Sequence, residues 1–270
     1  MIMSLQNVAL ELLRLSVWFL LLLLLLGGAE MLFAAHKSKG LRPAYWQDIG
    51  YFFGNGLLFK LAVVPLLSIS ALALSFLVPG SLQNWAISLP VSMRALLGLF
   101  VGDIAYYFVH RAMHQVPGLW RFHAVHHSAV VLDWLVSARA HPFEIVFTRW
   151  ISFVVLYVLG LARPQESGMA DLSTLLIFAA GIVWGFFVHA NVRWRFGPLE
   201  WLIATPAFHH WHHANEAEGQ RDHNYAAMFP LIDRVFSTLH LPYTLPKRYG
   251  IDEAMEADVS GQLMHPFKRH

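Results

Sequence analysis

Three clusters of histidine carry the chemistry this sequence could do. His110 and His114 form an HxxxH pair, His123, His126 and His127 form HxxHH, and His209, His212 and His213 form a second HxxHH. Residues three or four apart share one face of a helix, so each cluster can aim two or three imidazoles the same way. With sixteen histidines in 270 residues, two HxxHH motifs arise by chance on the order of once in a thousand such sequences. A single histidine near a membrane surface is most simply a hydrogen-bonded residue. Eight in three clusters read as a metal centre.

Imidazole suits zinc, copper, iron and nickel, so ligand type alone does not choose the metal. Ligand count narrows it. Eight to ten clustered histidines exceed the four ligands of one tetrahedral zinc and fit two metals with four or five nitrogens each, leaving positions open for oxygen or water. A zinc protease needs HExxH; here Arg111 follows His110, and no nucleophile accompanies a box, which disfavours a hydrolase. With no cysteine in the chain, thiolate, iron-sulfur and disulfide chemistry are excluded. A pair of redox metals beside a membrane suits oxidation of an unactivated C–H bond, with lipid as the accessible substrate. Neutral imidazoles leave the metal charge uncompensated, so carboxylates close to the ligands are expected. Asp103, Glu144, Asp222 and Asp233 are the candidates. Asp103 precedes His110 by seven residues, on the same helix face; its competing reading is a helix-packing hydrogen bond to Arg94 or to backbone.

The elements that must position these residues are membrane helices. Hydrophobic residues make up 57% of the chain and charged residues 13%, about half the charged share usual in soluble domains. A net charge of +2 and the lack of any basic run argue against nucleic acid. Apolar stretches at 12–35, 57–78, 91–109, 143–161 and 172–188 are each long enough to be a candidate span. A cleaved leader competes for the first, but Glu11 does not suit a basic leading segment. Pro65 predicts a kink in the second. Lys37, Lys39 and Arg42, then Arg111 and Arg121, then Arg193 and Arg195 mark the connections that should face the cytoplasm. The links 79–88 and 163–171 should face the other side. Two spans separate the second box from the third, so all boxes return to one face. His189, at the end of the fifth span, arrives there too. His141, just before the fourth span, stands undecided between ligand and interfacial residue. Beyond Trp194 no span remains, and Pro206, Gly219, Pro230, Pro242 and Pro246 break the region into short elements. The expected fold is an all-α membrane protein of about five transmembrane helices with a cytoplasmic, histidine-rich di-metal cap. Its expected parts are N-terminal helices at 1–90, a catalytic domain at 91–251 and a tail at 252–270.

The boxes together resemble the fatty acid hydroxylase and sterol desaturase superfamily, whose pattern is HxxxH, HxxHH and HxxHH after hydrophobic spans. The likeness runs from about Asp103 to Ile251. It includes Arg139-Ala140-His141-Pro142, Val188-His189-Ala190-Asn191, Thr205-Pro206, Asp222-His223-Asn224-Tyr225 and Asp233 to Thr238. Departures from the pattern are His210, His223, Ala226 and Ser237; His210 and His223 are not expected to be ligands. The resemblance implies a cytosol-facing di-iron site, with His189 joining the eight box histidines, and O2 as cosubstrate. No GxGxxG fingerprint and no haem-binding HPGG is present, so electrons are expected from a separate electron-transfer protein or other reductant. Hydroxylation and desaturation are not distinguished, and no residue selects among fatty acyl, sterol and ether lipids. The competing class is a membrane metal-binding or transport protein, which predicts histidines strung along the spans. His36, His240, His265 and His270 are expected to be ordinary surface or interfacial residues. The expected location is the membrane, the inner one in a prokaryotic cell.

Overall fold

The computed structural model describes residues 4–37, 41–163, 171–216 and 222–268. Lys39, His270, Gly219 and most of the 163–171 link lie outside the described residues.

Long apolar helices form because their leucines, valines and phenylalanines have no polar surface to offer water. Helix α1 (Leu5–Phe33) and α2 (Tyr45–Ser75) are followed by α4 (Val91–Gln115) and α7 (Leu172–His189); these four are long and apolar enough to cross a membrane. Short α3 (Gly80–Ser88) precedes α4. Ser4 caps α1 by accepting from Asn7 N–H. Most of the outward leucines of α1 are exposed, as a lipid-facing surface should be.

About five spans were expected, and among the described residues four helices meet the length. The fourth expected span is α6 (Pro142–Val158), whose 17 residues reach only about 25 Å. It ends because Gly160 takes a left-handed φ of +72°, which only glycine adopts freely, and Leu161 N–H turns back to Leu156 O. α6 still carries the chain from one end of the bundle to the other. Its first turn places Glu144 against His123, and its last places Tyr157 O against Gln83 of α3. The expected disturbance near Pro65 is a π-helical segment at Phe59–Val63 just before it, where Val64 N–H reaches back to Phe59 O.

Helices α4, α6 and α7 pack together with the second half of α2 around Leu67, Phe153, Leu156, Leu161 and Ile177. A Cβ on Gly98 of α4 would lie 2.3 Å from the end of the Ile177 side chain of α7, so a larger residue would require that side chain to move. At the end remote from the histidines, Arg94 pairs with Asp171 and Arg163 reaches Gln83. At the histidine end, α5 (Pro117–His127) and a 3₁₀ turn (Trp134–Ala138) follow α4. The cap is completed by α8 (Pro206–His212), α9 (Pro230–Val235) and α10 (Val259–Met264).

Candidate metal centre

Nine histidines converge where α4, α5, α7 and α8 meet. His110, His114, His123, His127 and His212 form one group, and His126, His189, His209 and His213 another. Within each group the potential ligand atoms lie within 4.8 Å of one another. Each HxxHH motif is shared: its first and last histidines join one group and the middle one joins the other. His123 and His127 thus sit with His212, whereas His209 and His213 sit with His126. The groups adjoin, with the His127 and His213 rings stacked 4.3 Å apart. None of the nine is strung along a span.

Backbone and side-chain acceptors fix the rings. The Nδ1–H of His110 donates to Tyr225 O at 2.7 Å, that of His126 to Arg139 O at 2.8 Å, that of His189 to Gly185 O at 2.6 Å and that of His212 to His223 O at 2.8 Å. His123 Nδ1 meets Glu144 Oε1 at 2.8 Å. A carbonyl oxygen can only accept, so Nδ1 carries the proton and Nε2 is left as a bare lone pair. This is the arrangement by which neighbouring groups orient metal-binding imidazoles. Burial holds His123, His127, His209, His212 and His213 far below the ordinary histidine range and His126 at about 4. These six are therefore neutral at pH 7, the state that coordinates metal.

The lone pairs face each other at short range. Nε2 of His126 and Nε2 of His189 are 3.2 Å apart, and those of His110 and His123 are 3.0 Å apart. With Nδ1 protonated, neither His126 nor His189 can donate to the other, so that contact is repulsive unless a cation lies between them. Two nitrogens each about 2.1 Å from one metal, at right angles, are about 3.0 Å apart. Nε2 of buried His114 and His212 has no hydrogen-bond partner among the described residues, a further cost that a metal would remove. The donor set fits two metal ions.

Of the expected carboxylates, Glu144 touches a histidine of the cluster directly. Asp222 lies 3.6 Å from His114 Nδ1 with its side chain 60% exposed, and its contact with His114 lowers its pKa. Asp103 was expected beside the metal ligands, but the structure turns it elsewhere. Its carboxylate accepts the N–H groups of Ala227, Met228 and Phe229 at 2.7, 3.0 and 2.7 Å. Asp233 likewise holds Tyr225 and Ala226 N–H and the Thr238 hydroxyl. Both acids build the segment that presents Tyr225 O to His110. Asp103 does not pair with Arg94, which is engaged by Asp171.

His141 lies outside both groups. It caps α6 by accepting from Phe143 N–H at 3.0 Å, and its Nε2–H donates to Leu263 O at 3.2 Å. His210 also stands apart, between the Tyr249 hydroxyl and Ala190 O. His265, expected near the surface, is buried. The sequence reading missed the carbonyl acceptors, which every residue possesses and no motif marks. It also missed Asp48 of α2, whose carboxylate holds the Arg139 guanidinium at 2.7 and 2.9 Å. A lone acid near the start of an apolar helix was the available signal.

Residues 95–238, just over half of the chain, match the family described as Fatty acid hydroxylase. The chain belongs to the fatty acid hydroxylase family. Among curated relatives, Ornithine lipid hydroxylase OlsE of Rhizobium tropici is 32% identical over 190 residues, covering 68% of this chain and 54% of the relative. Alkylglycerol monooxygenase of Homo sapiens is 31% identical over 144 residues, 53% of this chain and 29% of that enzyme. Very-long-chain aldehyde decarbonylase CER1 of Arabidopsis thaliana is 27% identical over 210 residues, 73% and 29% respectively. The chain thus spans about half of the first relative and less of the others. No solved structure matches it.

Proposed function

We propose that this chain is an integral-membrane, oxygen-dependent di-iron oxidoreductase that hydroxylates or desaturates a C–H bond of a lipid. The observation that carries the reading is the pair of adjoining histidine groups, with neutral rings and inward bare nitrogens, gathered at one end of a helical membrane bundle. His110, His114, His123, His127 and His212 would hold one iron, and His126, His189, His209 and His213 the other. When bound, the two irons supply activation of O2 for oxidation of an unactivated C–H bond. The relatives' names, which specify ornithine lipid, alkylglycerol and very-long-chain aldehyde, support a long-chain lipid as substrate class.

The chain's own residues orient and insulate. Carbonyls of Tyr225, Arg139, Gly185 and His223 hold Nδ1 protons and direct Nε2 inward. Glu144, 2.8 Å from His123 Nδ1, is placed to offset, once a metal is bound, the charge that neutral imidazoles leave in place. The Trp120 ring lies 5.3 Å from His114 and 5.6 Å from His127 and shields that side of the cluster from water. Lys37, Arg42, Arg111 and Arg193 cluster at the histidine end of the spans, which supports a cytoplasmic orientation. Electrons come from a separate carrier.

Metal analysis combined with O2 uptake tests the proposal. Purified protein should contain two irons per chain and consume O2 when reductant and total membrane lipid are added. One zinc per chain, with no O2 consumed, would sink it.

A further inference from the structure

Everything beyond Trp194 was expected to lie outside the bilayer, but from Tyr225, level with His110, the structure lays residues 227–236 along the flank of α4, below the histidines. Asp103 is seven residues, about 10 Å, from His110 toward the remote end of α4. The turn it holds, Ala227 to Phe229, is therefore at that depth. Phe229 packs edge-on against Phe100 at 5.5 Å, and Phe236 against Phe108 at 5.1 Å. The segment thus climbs beside α4 from the level of Phe100 to that of Phe108.

Its backbone is arranged for a place without water. The N–H groups of Tyr225 and Ala226 go to the Asp233 carboxylate, those of Ala227, Met228 and Phe229 go to Asp103, and Pro230 has none. Met228 O accepts from Ala204 N–H at 2.8 Å. Every N–H over these six positions of irregular chain is therefore satisfied within the protein, which is what non-helical backbone at membrane depth requires of its donors. A loop in water needs no such provision.

The outward side is apolar apart from Arg234 and Ser237. Leu231, Val235 and Phe236 are exposed, Val235 by 68%, and they continue the exposed face of Phe100 and Phe108 on α4. The height of the bilayer surface can be read from α1. Its Met31, Leu32 and Phe33 are exposed, and Phe33 O accepts from Arg193 N–H, four residues past His189. Lipid-facing apolar surface thus reaches the level of the histidines, and residues 227–236 lie below it. Arg234 lies over the Trp201 ring at 4.4 Å, a basic and aromatic pairing typical of the headgroup layer.

We propose that residues 225–236 form a membrane-embedded element that presents Leu231, Val235 and Phe236 to the acyl chains of bilayer lipids, with Asp103 as the internal acceptor that lets this backbone sit there. The element stands whether or not the enzyme's reaction is as proposed above.

Because the chain has no cysteine, single nitroxide labels can report depth in the full-length protein in lipid nanodiscs. Val235→Cys is compared with Leu24→Cys on the lipid face of α1 and Ala254→Cys on the exposed cap, using collision with O2 against a water-soluble nickel chelate. The Val235 label should be oxygen-rich and nickel-poor, like the Leu24 label. Nickel access equal to that at Ala254 would overturn the proposal. Adding Asp103→Asn should raise nickel access at Val235 at least several-fold while leaving Leu24 unchanged; an unaltered Val235 label would overturn the role given to Asp103.

Discussion

The two histidine groups draw on the same repeated motif yet lean on different parts of the chain. The five-histidine group is steadied from the C-terminal side and from α6: Tyr225 O, His223 O and Glu144 fix three of its rings. The four-histidine group is steadied from the N-terminal helices. His126 rests on Arg139 O, and Arg139 rests on Asp48 of α2, which also pairs with Arg42. Glu30 of α1 accepts the N–H groups of Trp134 and Asn191, and Asn55 of α2 donates to Ala138 O and Ala140 O. Those helices precede the part of the chain that matches the family. The family's common region therefore supplies all nine histidines, but the support of His126 reaches outside it, through Arg139 to Asp48.

The harshest way to break this comparison is to remove one ring from each group. His212→Ala and His126→Ala should each cost more than about 100-fold in turnover and release iron, measured by metal analysis, whereas His141→Ala should keep its iron. Acid should strike both groups alike. Histidines that burial keeps neutral in the fold take up protons on unfolding, so stability is fully present above the ordinary value of 6.5. It is lost as pH falls toward about 4, the value for His126. Each such ring costs about tenfold in the folded-to-unfolded ratio per pH unit in that window, which thermal melting of metal-free protein should show.

A change that separates the groups is Asp48→Asn. Arg139 and Arg42 are buried, and removing their shared carboxylate should destabilise the fold by about 3–5 kcal/mol. Iron should then leave the His126 group first; loss from both groups in step would contradict the division of support. Glu144→Gln is the counterpart on the other side. It should weaken metal at the five-histidine group by about 10–100-fold, measured by chelator competition. Asp222→Asn should matter least, within about 0.5 kcal/mol, because the side chain is mostly exposed and 3.6 Å from His114.

All nine converging histidines were legible in the sequence, since spacing on a helix and span parity are local properties. How each HxxHH divides was not. His123, His126 and His127 share one helical face, and only the opposing α8 decides which of them meets His212 and which meets His209. Which of the two readings of Asp103 holds was hidden for a related reason: its spacing to His110 is visible, but its backbone partners at 227–229 lie more than a hundred residues away. The length of the fourth expected span was overread, since hydropathy continues to residue 161 while Gly160 has already turned the chain.

The clamp on Arg139 also bears on the order of biosynthesis. Chains emerge N-terminus first, so Asp48 and Arg42 are in place before Arg139 is made, and a seat awaits the turn that carries it. His209 and His213 are translated long after His110. The nascent protein thus passes through a stage in which the scaffold is set but neither ligand group is complete, and metal delivery becomes a late event in maturation.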